Sequence, residues 1–443
     1  MPDPSAAPRA PGNWFGQPKG LTILFLTEMW EKFSFYGMRS LLVYYMTKHL
    51  LLGQQRASVV YGLYTALAYL TPILGGAISD RWLGRKSAVI LGGLIMALGH
   101  FMMASESLFY PALATIALGN GLFLPNLPSQ VGALYADTDV RRRSAYNIYY
   151  VGINLGAFLA PLACGGLGEL YGWHWGFTLA GVGMLTGLMV YLAGARHLPP
   201  QPPRSVPRSR AQPGADQPGG AILLLLAVGL AVVLLRGAYE QIGNTVALWT
   251  DTQVDRTIVR GVVVPMTWFQ ALNPLLIFVL TPALVSRWTR LAAEGREPAP
   301  AVKMAIGAAG IAAAYLLLAA ATAVTSAHGG RTGWIWLVAF VAVLTWGELY
   351  VLPVGLGLFA RLAPTTLAAT TVAGWFLATF AGNLVAGALG ALWSAVAHPL
   401  FFLLMAALAG AASLLLLLLD APTRRVETRR SIRNPTRPLL EPR

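Results

Sequence analysis

Charged side chains inside the first long apolar stretch constrain this chain more than any other feature. The segment 21–52 is apolar enough to cross a bilayer, yet it contains Glu28, Glu31, Lys32 and Arg39. An ionised group near the bilayer centre costs at least about 2.5 to 3.5 kcal/mol on insertion scales. In a helix these residues lie on one side, because residues three and four apart are neighbours. The stretch therefore predicts a helix whose charged side faces protein partners rather than lipid.

The rest of the chain consists of similar apolar stretches. Of its 443 residues, 56% are hydrophobic and 11% are charged, and the mean hydropathy is +0.58. These values are outside the range of soluble globular domains. We predict an all-α polytopic membrane protein with twelve transmembrane helices. The predicted spans are 21–48, 58–79, 87–105, 108–134, 145–168, 174–194, 221–249, 263–286, 302–325, 333–360, 367–392 and 397–419.

The formal net charge of +14 is distributed unevenly over this topology. With both termini in the cytoplasm, most of the 32 Lys and Arg fall in cytoplasmic segments, as the positive-inside rule requires. We interpret the basic tail 424–443 as a segment that fixes the membrane orientation and contacts lipid head groups, and we predict no nucleic-acid partner. The expected location is a cell membrane that the chain crosses many times. The cations on predicted outside loops are Lys48, Arg56, Arg256, Arg260 and Arg331.

The two halves of the chain have a similar organisation. The sequence AISDRW at 77–82 follows the second span, and ALVSRW at 283–288 follows the eighth. Duplicated bundles of this kind are typical of secondary transporters, which bind their substrate between the halves near the bilayer midplane. We predict an N-tail, a first six-helix bundle, a flexible cytoplasmic linker rich in Pro, Arg, Gln and Gly, a second six-helix bundle and a basic C-tail. Their predicted bounds are 1–20, 21–194, 195–220, 221–420 and 421–443.

Polar side chains also interrupt the later spans. Asn154 lies in the fifth, Arg236 and Glu240 lie four apart in the seventh, Asn273 is in the eighth, and Glu348 is in the tenth. An isolated acid such as Glu348 favours a functional role, because a buried charge without one is rare. Arg236 with Glu240 also fits a self-neutralised pair, and Asn154 also fits simple packing between helices.

Five motifs, in order over nearly the whole chain, resemble those of the proton-coupled oligopeptide transporters of the major facilitator superfamily. The loop 75–86 between the second and third spans also resembles the signature of that superfamily. The resemblance implies two six-helix bundles and proton-coupled symport of di- and tripeptides by alternating access. The motifs are Glu28-x-x-Glu31-Lys32-Phe33-x-Phe35-Tyr36-Gly37, Tyr149-Tyr150-x-x-Ile153-Asn154-x-Gly156, Tyr239-Glu240-Gln241, Phe269-Gln270-x-x-Asn273-Pro274 and Gly347-Glu348 with Pro353.

The resemblance also implies roles for individual residues. Glu28, Glu31 and Lys32 correspond to groups that take part in proton coupling, and Glu240 to an acid that changes its salt-bridge partner. Asn154, Asn273 and Glu348 correspond to groups that hold the amino end of the peptide. The full substrate-binding set implied is Tyr36, Arg39, Tyr69, Asn154, Asn273, Glu348 and Trp375.

The sequence departs from the family pattern at several positions. Lys32 replaces the usual Arg, whose planar fork binds carboxylates better. Phe35 replaces a Tyr, and Leu124 replaces the usual Lys of the fourth span. The extra helix pair that many bacterial members place between the halves is missing. We hypothesise that Arg236, where the family usually has an aromatic residue, replaces the missing Lys as the partner of Glu240.

Other function classes fit the sequence less well. No His/Asp, Cys/His or metal-ligand cluster appears, and no loop is long enough for a catalytic domain, so we predict neither an enzyme, a cofactor nor a metal site. The expected partners are protons, a small peptide and the lipid bilayer, and the chain is expected to be a monomer. Leu124 leaves an alternative open: a transporter of the same fold for an anion, a modified peptide or an exported metabolite, with altered or weak proton coupling.

Overall fold

The computed structural model describes residues 16–136, 138–199, 218–259, 261–362 and 368–433, and these residues are largely helical. The predicted all-α fold is confirmed. The start of the predicted N-tail, residues 200–217 of the predicted linker, Arg260 and the last ten residues lie outside the described residues.

The first half of the chain forms the helices of the first six predicted spans. One turn of π-helix extends α1, α2 and α6, at Tyr45–His49, Ser79–Leu83 and Pro161–Gly165. The helices are α1 (Lys19–Tyr44), α2 (Gln54–Ile78), α3 (Arg85–Met102), α4 (Phe109–Phe123), α5 (Asn126–Ala133), α6 (Arg141–Ala160), α7 (Gly166–Tyr171) and α8 (Trp173–Ala193).

The second half contains further helices and four very short strands. Strand β1 (Val254–Asp255) pairs in parallel with β4 (Thr332–Gly333), and β2 (Thr257–Val259) pairs antiparallel with β3 (Val262–Val263). The helices are α9 (Pro218–Tyr239), α10 (Thr245–Gln253), α11 (Leu272–Ala293), α12 (Pro300–His328), α13 (Trp334–Leu362), α14 (Ala368–Gly390), α15 (His398–Leu418) and α16 (Asp420–Arg433).

The predicted spans coincide with helices, whereas α16 lies beyond the last predicted span, in the predicted basic C-tail. Ten stretches of the described residues are long and apolar enough to cross a membrane. The other two predicted spans are α1, which carries the charges of the first motif, and α3. Two spans are broken: α4 and α5 meet at Pro125, which cannot donate a backbone hydrogen bond, and a 3₁₀ turn at Glu240–Gly243 separates α9 from α10.

Contacts divide the chain into two compact units. The N-terminal unit comprises Met1–Leu41 and Thr71–Val206, and the C-terminal unit comprises Leu42–Leu70 and Pro207–Arg443. The first part of α2 thus belongs to the C-terminal unit, although its sequence position predicted the first bundle. The hydroxyl of Tyr44, at the end of α1, donates to the carbonyl of Ala247 in α10, also within that unit.

Glycine allows the closest helix contacts within each unit. A Cβ added at Gly92 in α3 would lie 2.7 Å from the carbonyl oxygen of Gly119 in α4, and one at Gly119 would lie 2.7 Å from that of Gly92. In the C-terminal unit, Gly307 of α12 and Gly347 of α13 oppose each other at 2.5 and 2.6 Å in the same way. Small residues let membrane helices approach until their backbones touch.

Gly75 and its neighbour Gly76 provide a test of this packing. A Cβ at Gly75 would lie 2.1 Å from the carbonyl oxygen of Gly121, whereas one at Gly76 would meet nothing closer than 3.6 Å. We expect Gly75→Ala to destabilise the protein by about 1 to 3 kcal/mol, the usual effect of overpacking, and Gly76→Ala to change little. Thermal unfolding of the purified protein followed by intrinsic fluorescence measures both. Equal midpoints for the two variants would contradict the packing.

Candidate functional site

Two carboxylates share one cation on α1. Lys32 Nζ lies 2.7 Å from Glu31 Oε2 and 3.4 Å from Glu28 Oε1. Glu28 and Glu31 are 1% and 0% exposed. The remaining oxygens, Glu28 Oε2 and Glu31 Oε1, accept no hydrogen bond from the described residues. We call these three residues the N-terminal charge cluster, and it holds one more negative charge than positive when all three groups are ionised.

The helix α6 packs directly on this cluster. A Cβ at Gly156 would lie 2.1 Å from the carbonyl oxygen of Met29 and 3.1 Å from Lys32 Cβ, so only glycine fits there. The buried Tyr149 of α6 lies beside the Glu28 carboxylate. The spacing in the sequence placed the charges on one helix, and the glycine of the second motif explains how α6 covers them.

The other site residues predicted in the N-terminal unit make local contacts. The Arg39 guanidinium lies 5.9 Å from the centroid of the Tyr36 ring, and Lys32 Nζ lies 5.9 Å from that of Phe35. Asn154 is buried, and its amide donates to the carbonyl of Tyr150 in the preceding turn at 3.0 Å. Substrate binding by these residues stays a prediction.

Arg236 is the centre of a second buried group, in the C-terminal unit. Its guanidinium donates to Glu240 and, at 3.2 Å, to the hydroxyl of Tyr69. The guanidinium carbon also lies 5.3 Å from the ring centroids of both Tyr69 and Tyr239. Arg236 and Glu240 are only 6% and 1% exposed. The ion pair therefore lies within a single helical turn, and two aromatic rings cover its guanidinium group.

Glu348 is connected to this pair through Tyr239. Asn273 donates to Glu348 Oε2 at 2.7 Å and to Thr345 Oγ1 at 2.9 Å. The Tyr239 hydroxyl also donates to Glu348, which lies within electrostatic range of Arg236 and Glu240. Arg236, Glu240 and Glu348 form what we call the C-terminal charge cluster, which again sets two carboxylates against one cation.

Tyr239 and Thr345 hold Glu348 and its partner Asn273, and the sequence reasoning gave neither of them a role. Tyr239 stands immediately before Glu240 in its motif, and Thr345 stands one turn before Glu348. Their role depends on how α9, α11 and α13 pack, and the sequence alone does not show this packing.

The last two predicted binding residues are aromatic. Trp375 is 9% exposed, and its ring centroid lies 5.3 Å from that of Phe359. A Cβ at Gly355 would lie 2.4 Å from the edge of the Trp375 ring, so the indole contacts α13 where only glycine leaves room for it. The ring centroid of Tyr69 lies 6.2 Å from that of Phe376, and its hydroxyl contacts Arg236. Tyr69 belongs to the C-terminal unit, whereas its sequence position lies in the predicted first bundle. A substrate-lining role stays a prediction for both.

Among the described residues, no group of His, Cys, Asp and Glu is arranged to hold a metal ion. The two charge clusters bring buried carboxylates and cations together, and their charges do not cancel completely. Each has one buried carboxylate more than it has cations, so each is suited to accept a proton or a cationic group.

Known proteins resemble this chain over most of its length. A sequence model of the POT family matches residues 86–211 and 221–400. The chain is 31% identical to the peptide transporter YePEPT of Yersinia enterocolitica, over 85% of this chain and 88% of that protein. It is 31% identical to the di-/tripeptide transporter of Lactococcus lactis subsp. cremoris, over 88% and 92% of the two chains. The crystal structure of the peptide transporter POT in complex with sulfate is 30% identical, with a TM-score of 0.85 over 95% of this chain and 97% of that one.

The buried pair of Arg236 with Glu240 has a matched exposed pair in the same unit. Arg290 and Glu294 also lie four residues apart, with the Arg290 side chain 83% exposed. We expect Arg236→Met to destabilise the protein by about 3 to 5 kcal/mol, because Glu240 would remain buried without its cation. Arg290→Met should change the unfolding midpoint little. The double variant Arg236→Met/Glu240→Gln should regain most of the loss, and a double variant as unstable as Arg236→Met alone would contradict the pairing.

Proposed function

The chain belongs to the POT family, and on that premise we propose that it transports small peptides together with protons by alternating access. As a member of a transporter family it is a multi-span membrane protein. We further propose that it acts as a monomer in a bacterial inner membrane. Both termini lie in the cytoplasm in this proposal, because the distribution of Lys and Arg predicts that orientation.

The observation that supports this proposal best is the excess carboxylate in each unit. A buried carboxylate without a counter-charge is expensive, and binding a cation or a proton removes that cost. A peptide symporter needs one site for a proton and one for the ammonium group of the peptide. The two charge clusters match these two requirements.

The C-terminal charge cluster is suited to the ammonium group. Asn273 and Tyr239 hold the Glu348 carboxylate in place. A charge-assisted bond from an ammonium group to this fixed carboxylate contributes about 1.5 to 3 kcal/mol. The family resemblance, rather than the structure, assigns Asn154 to the ammonium group, Arg39 and Lys32 to the peptide carboxylate, and Tyr36, Tyr69 and Trp375 to the rest of the substrate.

The N-terminal charge cluster is suited to the proton. Protonation of Glu31 or Glu28 leaves one carboxylate for one cation, and it supplies a hydroxyl where an oxygen now accepts no bond from the described residues. A peptide carboxylate that competes for Lys32 would weaken the hold of this cation on Glu28 and Glu31 and favour their protonation. Binding of peptide and proton would thus support each other.

Leu124 supports the alternative, a substrate other than a simple peptide or weaker proton coupling. Arg236 replaces the family's span-four Lys as the partner of Glu240 in this proposal. Because both members of the pair lie on one helical turn, it need not break when bundles move. Glu240 would then couple less tightly to the transport cycle than an acid paired between helices.

The role of Glu348 is tested by Glu348→Gln, which keeps the shape and removes the charge. We expect uptake of radiolabelled dialanine into proteoliposomes under an inward proton gradient to fall about ten- to hundred-fold. Glu294→Gln, which removes an acid from the surface of the same unit, is the control. Unchanged uptake by a correctly inserted Glu348→Gln would exclude this carboxylate from the site. No uptake by the intact parent would favour the alternative substrate.

The role of the N-terminal charge cluster is tested by Glu31→Gln, a permanent analogue of the protonated acid. Gradient-driven uptake should be lost, because the proton no longer binds and leaves in each cycle. Exchange of dialanine between the two sides without a gradient should persist. Glu106→Gln, at an exposed site in the same unit, should retain both. Gradient-driven uptake by Glu31→Gln at the parent rate would assign proton coupling elsewhere.

A further inference from the structure

The segment just before α1 is hydrogen-bonded to the end of α5 and the start of α6. Gln17 is only 6% exposed. Its side-chain amide donates to Ser144 Oγ at 3.1 Å, and its side-chain oxygen accepts from the Tyr135 hydroxyl at 2.8 Å. The Arg141 guanidinium donates to the backbone carbonyl of Gly16 at 3.2 Å. We call these five residues the α1 clasp, and all of them belong to the N-terminal unit.

The clasp is continuous with α1. Gln17 is followed by Pro18, whose ring fixes its backbone φ angle, and α1 begins at Lys19. The carbonyl of Pro18 already accepts the backbone amide of Leu21, at 2.9 Å. Because each helical residue adds a fixed rise of about 1.5 Å, the position of Gln17 sets the position of every later residue of α1 along the helix axis.

The contacts of α1 with α6 and its continuation keep one register over the length of α1 that belongs to the N-terminal unit. At five levels, the two residues in contact are 127 positions apart in the chain. The second residue of each pair is small, which allows the helices to approach closely. The pairs are Gln17 with Ser144, Phe25 with Gly152, Met29 with Gly156, Gly37 with Cys164 and Leu41 with Gly168.

The clasp is the part of this register that depends most strongly on direction and distance. The other levels are van der Waals contacts against small residues, and the energy of such contacts changes gradually with position. Hydrogen bonds keep their strength only over about 2.7 to 3.2 Å between donor and acceptor, so a slide of about 1 Å would break those of Gln17. The clasp therefore fixes the position of α1 along α6.

The position of α1 along α6 determines the surroundings of the N-terminal charge cluster. A Cβ at Gly156 would lie 3.1 Å from Lys32 Cβ. Tyr149, which follows Ser144 by little more than one helical turn, lies beside the Glu28 carboxylate. A slide of α1 would thus move the acids and their cation past Tyr149 and past the backbone of α6.

We propose that Gln17 and Ser144 are positioning residues for proton coupling. They act through α1, because they hold the acids of the N-terminal charge cluster at a fixed place beside α6. The inference rests on the proposed proton site in that cluster. Loss of the clasp then impairs gradient-driven uptake more than exchange of peptide without a gradient, since exchange does not require a proton to bind and leave in each cycle.

The test compares clasp variants with a matched serine variant in the same unit. Gln17→Ala removes both side-chain bonds, Ser144→Ala removes the acceptor of the Gln17 amide, and Ser144→Thr keeps a hydroxyl there. The control is Ser129→Ala. The Ser129 hydroxyl donates to the carbonyl of Pro125 in the preceding turn at 3.0 Å, as that of Ser144 does to Arg141 at 2.9 Å, but Ser129 is not part of the clasp.

We expect Gln17→Ala and Ser144→Ala to lower gradient-driven uptake of radiolabelled dialanine into proteoliposomes about two- to ten-fold, as the loss of an ordinary hydrogen bond would. Gradient-free exchange and the half-saturating dialanine concentration should stay close to the parent values. Ser144→Thr and Ser129→Ala should match the parent in both assays. An equal loss of uptake and exchange would show a merely structural role and overturn the proposal, as would parent-like uptake by both clasp variants.

A second readout needs no substrate. Carbodiimides modify protonated carboxyl groups in apolar surroundings, and mass spectrometry measures this labelling at Glu28 and Glu31 as a function of pH. We expect the pH of half-maximal labelling to differ from that of the parent in Gln17→Ala and Ser144→Ala, but not in Ser129→Ala. If the parent takes up no dialanine, the proposed function fails, and labelling alone decides whether the clasp positions the acids. Identical labelling profiles for all variants would overturn the inference.

Discussion

Burial of ionised groups in an apolar protein is the constraint on which the remaining structure depends. Each unit holds two carboxylates around a single cation, and each surrounds them with helices that exclude lipid. In the N-terminal unit, Gly156 brings α6 against the backbone of α1 beside Lys32. In the C-terminal unit, Tyr69 and Tyr239 enclose the guanidinium of Arg236. The charge clusters thus depend on the helix packing, because buried charges are tolerated in a membrane protein only where protein groups surround and pair with them.

Much of the fold was predictable from the sequence because hydropathy reports the membrane spans directly. All predicted spans fall on helices, and the spacing of Glu28, Glu31 and Lys32 placed them within reach of one another on α1. Contacts between distant helices were not predictable in this way. The bond from Tyr239 to Glu348 and the assignment of Tyr69 to the C-terminal unit depend on packing, which periodicity within one helix does not encode.

The two clusters differ in how firmly their cations are held. Arg236 is fixed by Glu240, by a hydroxyl and by two aromatic rings. Lys32 is a point charge on a flexible stem, and it divides its interaction between two acids. A loosely held cation adjusts when a neighbouring acid gains a proton, whereas a clamped one maintains its geometry. This contrast supports the proposed proton site in the N-terminal charge cluster and the proposed ammonium site in the C-terminal charge cluster.

The reciprocal contact between Gly307 and Gly347 shows how residues outside the two charge clusters fix the position of the groups within them. Gly347 immediately precedes Glu348, and its backbone rests on that of α12 without any side chain between them. The position of the Glu348 carboxylate therefore depends on α12, a helix that contributes no side chain to the C-terminal charge cluster. A side chain at position 307 would therefore displace the backbone next to Glu348, although Gly307 itself lies outside the C-terminal charge cluster.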